Sequence, residues 1–366
     1  MTRRLLIVTA SGLVALTAAC SAGAPAQHAA GASADRASPI VKHRHPVVAS
    51  GEITLAFAGD VHFAGRVARL LKDPATTFGP ITSVLKSADF TAVNLETPVT
   101  NRGQPQLKTY HFTATPGAFT ALRDARVDLV TMANNHILDY GQTGLADTLA
   151  AAKAAHFPYV GAGVNAAAAW APYVTTINGT KIAIVGVSQV AELASSWVAT
   201  AHRPGEANAI DLGQTLAAVQ AAKRLARIVI VFMHWGTEGM ACPDQNQLSL
   251  APKLAAAGAS IIIGAHAHML QGSGWLGHTF VAYGMGNFLW WENSYSTATG
   301  VLKLTLHPHA LLTARFIPAL VSGTGQSIVD QGAAARRALA HYASLRTCAG
   351  LSASPPAGAI TPTSAG

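Results

Sequence analysis

Short apolar runs rich in β-branched residues recur through the middle of this chain: Ile53 to Ala58, Phe90 to Val93, Val127 to Met132, Ile182 to Val187, Ile228 to Met233 and Ile261 to Ile263. Runs of that length and composition predict buried strands. Between several of them lie stretches with helical patterning: Ile81 to Ser87, Ala118 to Ala125, Gly144 to Ala155, Leu212 to Ala226 and Gln247 to Ala257. Asn178-Gly179 is a hairpin signal that joins Tyr173 to Ile177 with Lys181 to Val187, adding local antiparallel pairing. Thr279 to Tyr283, Val301 to Leu306 and Leu311 to Ile317 follow as strands with no long helix between them. The alternation predicts an α/β domain of stacked mixed sheets flanked by helices, and argues against a purely doubly wound sheet.

The ends of the chain differ from its middle. Arg3 and Arg4, the apolar stretch Leu5 to Leu16 and the small residues before Cys20 read as an export signal over residues 1–19. Cys20 resembles the acceptor of a bacterial lipoprotein signal, with Thr17 standing where an aliphatic residue is usual. Lipidation there implies an extracytoplasmic protein anchored to the cell membrane; ordinary signal-peptidase cleavage implies a secreted one. Residues 20–50 are Ala, Gly, Ser, Pro and His with almost no large apolar side chain, so they are expected to form a flexible tether in which His28, His43 and His45 are solvated. The folded domain is expected over 51–320, with a C-terminal helix from Gln331 to Leu345 and a disordered tail from Ser352 within 321–366. Cys242 and Cys348 remain, and an even pair in an exported chain favours a disulfide over two buried thiols.

A net charge of +8 permits contact with anionic lipid or an acidic polymer. The Lys and Arg residues are nonetheless scattered, without the basic stripe and interleaved aromatics of a nucleic-acid binder, so no nucleic-acid partner is expected.

Five segments follow the apolar runs: Gly59-Asp60-Val61-His62, Asn94-Leu95-Glu96, Asn134-Asn135-His136, His234-Trp235-Gly236-Thr237-Glu238 and Gly264-Ala265-His266-Ala267-His268. Ligands of α/β sheets gather at the carboxyl ends of strands, where these segments fall. In an extended exit, Asp60 and His62 face the same side, and His266 and His268 repeat that spacing. Each segment alone is weak: a histidine at a strand end is usually hydrogen-bonded structure, and an Asp after Gly is often a turn residue. Together they supply one Asp, one Glu, one Asn and four His, which suits two borderline divalent cations such as Mn²⁺, Zn²⁺ or Fe²⁺ with a carboxylate bridging them. The set lacks a thiolate, which argues against a structural zinc site.

These motifs, with Pro243, Gln247, the continuation Met269-Leu270-Gln271 and Tyr283-Gly284-Met285-Gly286-Asn287-Phe288, stand in the order seen in the CapA capsule-synthesis family. The chain therefore resembles that family, known for poly-γ-glutamate synthesis and part of the calcineurin-like metallophosphatase superfamily, over about Ile53 to Leu306. The resemblance implies a four-layer α/β/β/α sandwich with two mixed sheets. It also implies Asp60, His62 and His268 on one cation, Asn135, His234 and His266 on the other, and Glu96 bridging. His136 corresponds to the histidine that contacts the scissile group and protonates the leaving oxygen. Asn94, Asn134, Glu238, Gln271, Tyr283 and Asn287 are candidates to support the ligands or face substrate, with ordinary loop hydrogen bonding the alternative. Trp235, Trp290 and Trp291 either border a polymer groove or pack. Two functions fit: a metal-dependent, phosphoesterase-like hydrolase of surface-polymer synthesis, or a non-catalytic component of an anionic-polymer synthesis and export complex.

Overall fold

The computed structural model describes residues 51–307 and 312–356. The expected export signal, Cys20 and the tether with His28, His43 and His45 lie outside the described residues.

Most of the expected strands run further than their apolar cores, to Ile53–Val61, Phe90–Leu95, Thr180–Ser188, Ile228–Trp235 and Ile261–His266. The extension carries Asp60, His234 and His266 into the strands themselves. Ile53–Val61 pairs in parallel with Phe90–Leu95, which pairs with Leu129–Thr131, which pairs with Tyr159–Val160. On its other side it meets Ala298–Leu306, and then Thr313–Val321 and Ser327–Val329 follow, all antiparallel. The second sheet runs Ser273–Leu276, Thr279–Ala282, Ile261–His266, Ile228–Trp235, Thr180–Ser188, Tyr173–Ile177, parallel in its middle and antiparallel at both edges.

Period-two alternation explains how the sheets stack. Ile53, Leu55 and Phe57 pack with Ile228, Ile230 and Phe232 between the sheets, whereas Ala56 and Ala58 face the opposite way, as do Val229, Val231 and Met233. Strands buried on both faces read as continuous apolar runs, which is why they were visible in the sequence. Helices Gly117–Asp124 and Gly141–Ala154 bring Phe119, Leu122 and Leu145 to the outer face of the first sheet. Leu212–Leu225 and Gln245–Ala257 bring Val219, Leu250 and Leu254 to that of the second. The result is the expected four-layer α/β/β/α sandwich. Each fully buried Leu, Ile or Phe in it contributes roughly 1.5–3 kcal/mol of transfer free energy.

Two glycines are there because backbones meet. A Cβ on Gly59 would lie 1.8 Å from the Gly286 carbonyl oxygen, and one on Gly264 the same distance from that of Tyr283. Each glycine stands one or two residues before a site residue, so close strand approach and site position are set together.

The sheet continues past residue 320, because Leu320 and Val321 pair with Ile328 and Ser327. Helix Gly332–Ser344 then stacks Tyr342 on Phe316 at 3.8 Å and delivers Leu345 to the inter-sheet core. Cys348 is bridged to Cys242, with Cα atoms 5.7 Å apart. Ser352, where a disordered tail was expected to begin, exchanges two 2.9 Å backbone hydrogen bonds with Trp275. Its Gly/Ala/Ser-rich surroundings disguised close packing by small residues, such as Ala349 over Gly272. Among the described residues no helix is long and apolar enough to cross a membrane.

Candidate metal centre

Asp60 ties the two sheets together. It stands in register with Asn94 on one side and Asn287 on the other, its Oδ1 accepts from Asn94 Nδ2 at 2.8 Å, and its Oδ2 accepts from the His266 backbone N–H at 3.1 Å. His234 is pinned from both sides, Asn94 Nδ2 lying 3.1 Å from Nδ1 and Asn135 Oδ1 2.8 Å from Nε2. Asn134 donates to Asn94 Oδ1 at 3.0 Å and to the Leu95 carbonyl at 2.9 Å, locking the second and third strand ends to each other.

His266 and His268 reach the same pocket by a different route from the expected one. Their φ angles are +88° and +54°, so the chain leaves the strand through left-handed backbone and not as an extended segment. Non-glycine residues rarely hold that conformation, and where they do the surroundings must enforce it.

The ligand atoms of Glu96, His234 and His266 lie within 4.8 Å of one another, and so do those of Asp60, Glu96 and His268. Glu96 belongs to both groups. A third group, Glu238, His266 and His268, reaches the rim. His62 joins none of these groups; its Nδ1 faces the Thr97 hydroxyl at 3.1 Å and its ring is wedged against Phe112 and Trp290.

The buried atoms left without hydrogen-bond partners include both Glu96 oxygens, His62 Nε2, His266 Nδ1 and His268 Nδ1. Each such atom costs on the order of 1–3 kcal/mol, more when charged. Nitrogen and carboxylate donors, buried and convergent, fit a divalent cation.

Apart from His268 and Glu96, whose protons a cation would displace, the protonation states agree. Burial pushes His62 and His266 well below the ordinary histidine range and His234 down to about 3, leaving neutral imidazoles able to ligate. Burial, reinforced by the charge of Asp60, pushes Glu96 well above the carboxylate range. A cation reverses that. Burial also works to raise Asp60, but pairing with His268 and the nearness of His234 outweigh it and hold the carboxyl low. In His268 burial is outweighed by Asp60, whose Oδ2 lies 3.4 Å from Nδ1, and by Glu96, so its imidazolium persists to about 9.

His136 lies beside this pocket. Its Nδ1 is 2.8 Å from Asp139 Oδ2, and burial followed by the Lys108 charge drives its pKa well below the ordinary value. Lys108 is itself buried: it donates to the Asn135 carbonyl and pairs with Asp139 Oδ1 and Glu192 Oε2, each at 3.1 Å. Asp139, raised by burial against the pull of Lys108, sits at about 7. Neither residue was singled out from the sequence. Asp139 had a faint signal, three residues after His136, whereas Lys108 comes from a stretch without periodicity.

A cavity of about 240 Å³ opens above His62, His136 and His268. Trp290 and Trp291 border it, while Trp235 packs against the helices of the second sheet. Glu238 stands at the rim, its Oε2 accepting from the Tyr295 hydroxyl at 2.7 Å. Asn287 braces the loop above, donating to the Ser294 and Ser296 carbonyls. Tyr283 and Gln271 do not face the cavity. The Tyr283 ring stacks on Trp235, and Gln271 donates to the carbonyls of Met240 and Cys242, fixing the loop that carries Glu238.

A family model described as "Bacterial capsule synthesis protein PGA_cap" matches residues 54–290. "Capsule biosynthesis protein CapA" of Bacillus anthracis is 31% identical over 258 residues, 68% of this chain and 61% of that protein. "PGA biosynthesis protein CapA" of Bacillus subtilis is 30% identical over 65% of this chain and 63% of its own length. A "probable polyglutamine synthesis accessory protein" of Mycobacterium tuberculosis is 32% identical over 63% of this chain and 62% of its own. The chain thus spans about three fifths of the length of these relatives. Among solved structures, a phosphatase from Mycoplasma pneumoniae aligns at 15% identity with a TM-score of 0.45, over 80% of this chain and 97% of that one.

Proposed function

The chain belongs to the PGA_cap family of bacterial capsule synthesis proteins, and from that premise we propose that it is a capsule or surface-polymer synthesis accessory protein whose pocket is a dinuclear, metal-dependent phosphoesterase centre. The observation that carries this reading is Glu96, fully buried with both oxygens unpartnered and shared between two ligand groups. Asp60 and His268 would complete one cation site, with His62 at its edge, and His234, His266 and Asn135 the other. Divalent cations there supply charge neutralisation for a phosphoryl group and a nucleophile available at neutral pH.

The chain's own residues do the rest. Asp139 fixes His136 through Nδ1, leaving the other ring nitrogen to hold or deliver a proton in the cavity that His136 lines. The aromatic walls exclude water around the reacting group. An export signal with lipidation at Cys20 would anchor the domain outside the cell membrane, beside polymer synthesis and export proteins. Intact-mass analysis that finds an unmodified N-terminus removes the anchor without touching the chemistry.

The decisive measurement is metal content after reconstitution, followed by turnover of p-nitrophenyl phosphate and bis-p-nitrophenyl phosphate with Mn²⁺. We expect about two equivalents, and loss of at least roughly 100-fold in kcat on Asn135→Ala with His136→Ala. Less than half an equivalent of any divalent ion refutes the reading.

A further inference from the structure

Apart from Glu238, which shares a ligand group with His266 and His268, the mouth of the cavity is built from groups that the cation chemistry does not use. Tyr110, Phe112, Trp290, Trp291 and Tyr295 form its walls, and the carboxylates of Glu238 and Glu292 stand among them. Among the described residues, no lysine or arginine lines it. Arg66 and Lys108 are already engaged. Arg66 donates to the carbonyls of Trp290 at 3.0 Å and Glu292 at 2.7 Å and to Asn293 Oδ1 at 2.8 Å, and Lys108 lies buried against Asp139 and Glu192.

These walls are fixed in advance. Arg66 clamps the Trp290–Asn293 segment from behind, and Trp290 Nε1 donates to Ser294 Oγ at 2.8 Å. The Tyr295 ring lies over Gly239, where a Cβ would come within 2.9 Å of it, and its hydroxyl holds Glu238 by one oxygen. The other Glu238 oxygen, Oε1, lies 3.9 Å from His268 Nε2 at the floor of the mouth.

An aromatic face is the negative side of a quadrupole and repels anions, as do two carboxylates. A chain of γ-linked glutamates would bring one carboxylate per unit against both. Flat C–H surfaces favour such faces, and hydroxyl donors favour carboxylate acceptors. A pyranose ring offers both on one small neutral body. We infer that this mouth is a sugar subsite, so that the phosphoester presented to the metal centre is that of a hexose and not of a polyanionic chain. The inference rests on the metal-centre reading for the phosphoryl end only.

Calorimetric titration of the full-length, Mn²⁺-loaded protein with α-D-glucose 1-phosphate, inorganic phosphate, phosphocholine and γ-linked tetraglutamate tests it. We expect glucose 1-phosphate to bind about tenfold more tightly than inorganic phosphate, and Trp291→Ala to abolish that ratio while leaving inorganic phosphate unchanged. An unchanged ratio in Trp291→Ala overturns the subsite, as does tighter binding of phosphocholine, which would make the walls a cation cage, or of tetraglutamate. Manganese counted in the same samples separates the two ideas. Protein that holds manganese without preferring the sugar phosphate refutes only the subsite. Protein that holds none refutes the metal centre, and methyl α-D-glucoside then decides: quenching of tryptophan fluorescence that Trp291→Ala removes sustains the subsite, and its absence ends it.

Discussion

Glu96 Oε1 lies 3.4 Å from His234 Nε2, with both side chains fully buried, yet neither Glu96 oxygen accepts a hydrogen bond. The two residues leave the ends of strands in different sheets, Phe90–Leu95 and Ile228–Trp235. The fold has therefore brought a carboxylate across the inter-sheet core to an imidazole that does not satisfy it. That is an arrangement for binding, because as a folding device it costs stability.

Replacement of Glu96 by Gln should consequently separate stability from function. Without metal, the variant loses a buried group that must stay protonated to remain folded, and its Tm should rise, by about 2–4 °C for each kcal/mol relieved. The increase in Tm that Mn²⁺ gives the parent protein should vanish in the variant. Differential scanning calorimetry with and without the ion reads both effects, and a variant that still gains stability from Mn²⁺ contradicts the role given to Glu96.

A second buried carboxyl lies behind the ligand Asn135, accepting from the Asn134 backbone N–H. Glu206 is held by the Asn208 side chain at 2.8 Å, and burial raises its pKa from 4.5 to about 8. Between those values the folded chain keeps a proton that the unfolded chain has released. Its contribution to stability is therefore complete below pH 4.5 and declines by about 1.4 kcal/mol per unit as pH rises towards 8. Glu206→Gln removes this dependence, so the variant should overtake the parent in urea midpoint as pH increases from 5 to 8. Parallel midpoint curves would show that Glu206 does not carry the proton.

Strand ends were legible because parallel strands buried on both faces are written as apolar runs, and residues such as Asp60, His234 and His266 directly follow or close those runs. Side-chain direction was less legible. Tyr283 follows a strand of the second sheet, yet its ring turns to the helix side to stack on Trp235. His266 and His268 converge only because the backbone turns left-handed, which no two-residue alternation encodes. Lys108 arrives from a stretch with neither strand nor helix period, and tertiary contacts alone give it its place. The sheet past residue 320 was hidden because small residues that pack closely share the composition of a tail.

The Cys242–Cys348 bridge closes a sequence separation of 106 residues. Removing a disulfide typically costs about 2–5 kcal/mol. Here the loss should also loosen Glu238, because Gln271 holds the Met240 and Cys242 carbonyls of the same loop. Cys348→Ser should lower the unfolding midpoint by several degrees and raise hydrogen exchange at residues 238–242 above that of the strand Ile228–Trp235. Equal protection of that loop in both proteins would confine the bridge to tethering the C-terminal helix.

Lys108 gives the most demanding prediction, because its ammonium faces Asp139 and Glu192 while its side chain is only 2% exposed. Lys108→Met removes the charge that holds Asp139 down, so near neutral pH the buried carboxyl must take up a proton or stand without its counter-charge, and breaking such a pair costs up to about 3–5 kcal/mol. It also frees the Asn135 carbonyl and lets His136 drift from the cavity, where a displacement of about 1 Å can cost 100-fold in rate. The two effects are separable by adding Asp139→Asn, which removes the stranded charge. The double variant should recover much of the lost stability, with a coupling energy of at least about 1 kcal/mol in the mutant cycle. Its kcat should stay depressed, since the Asn135 carbonyl still lacks Lys108 and the side chain at 139 no longer carries the charge that faces His136 Nδ1. If turnover returns together with stability, Lys108 serves the fold alone, and His136 needs no help from it.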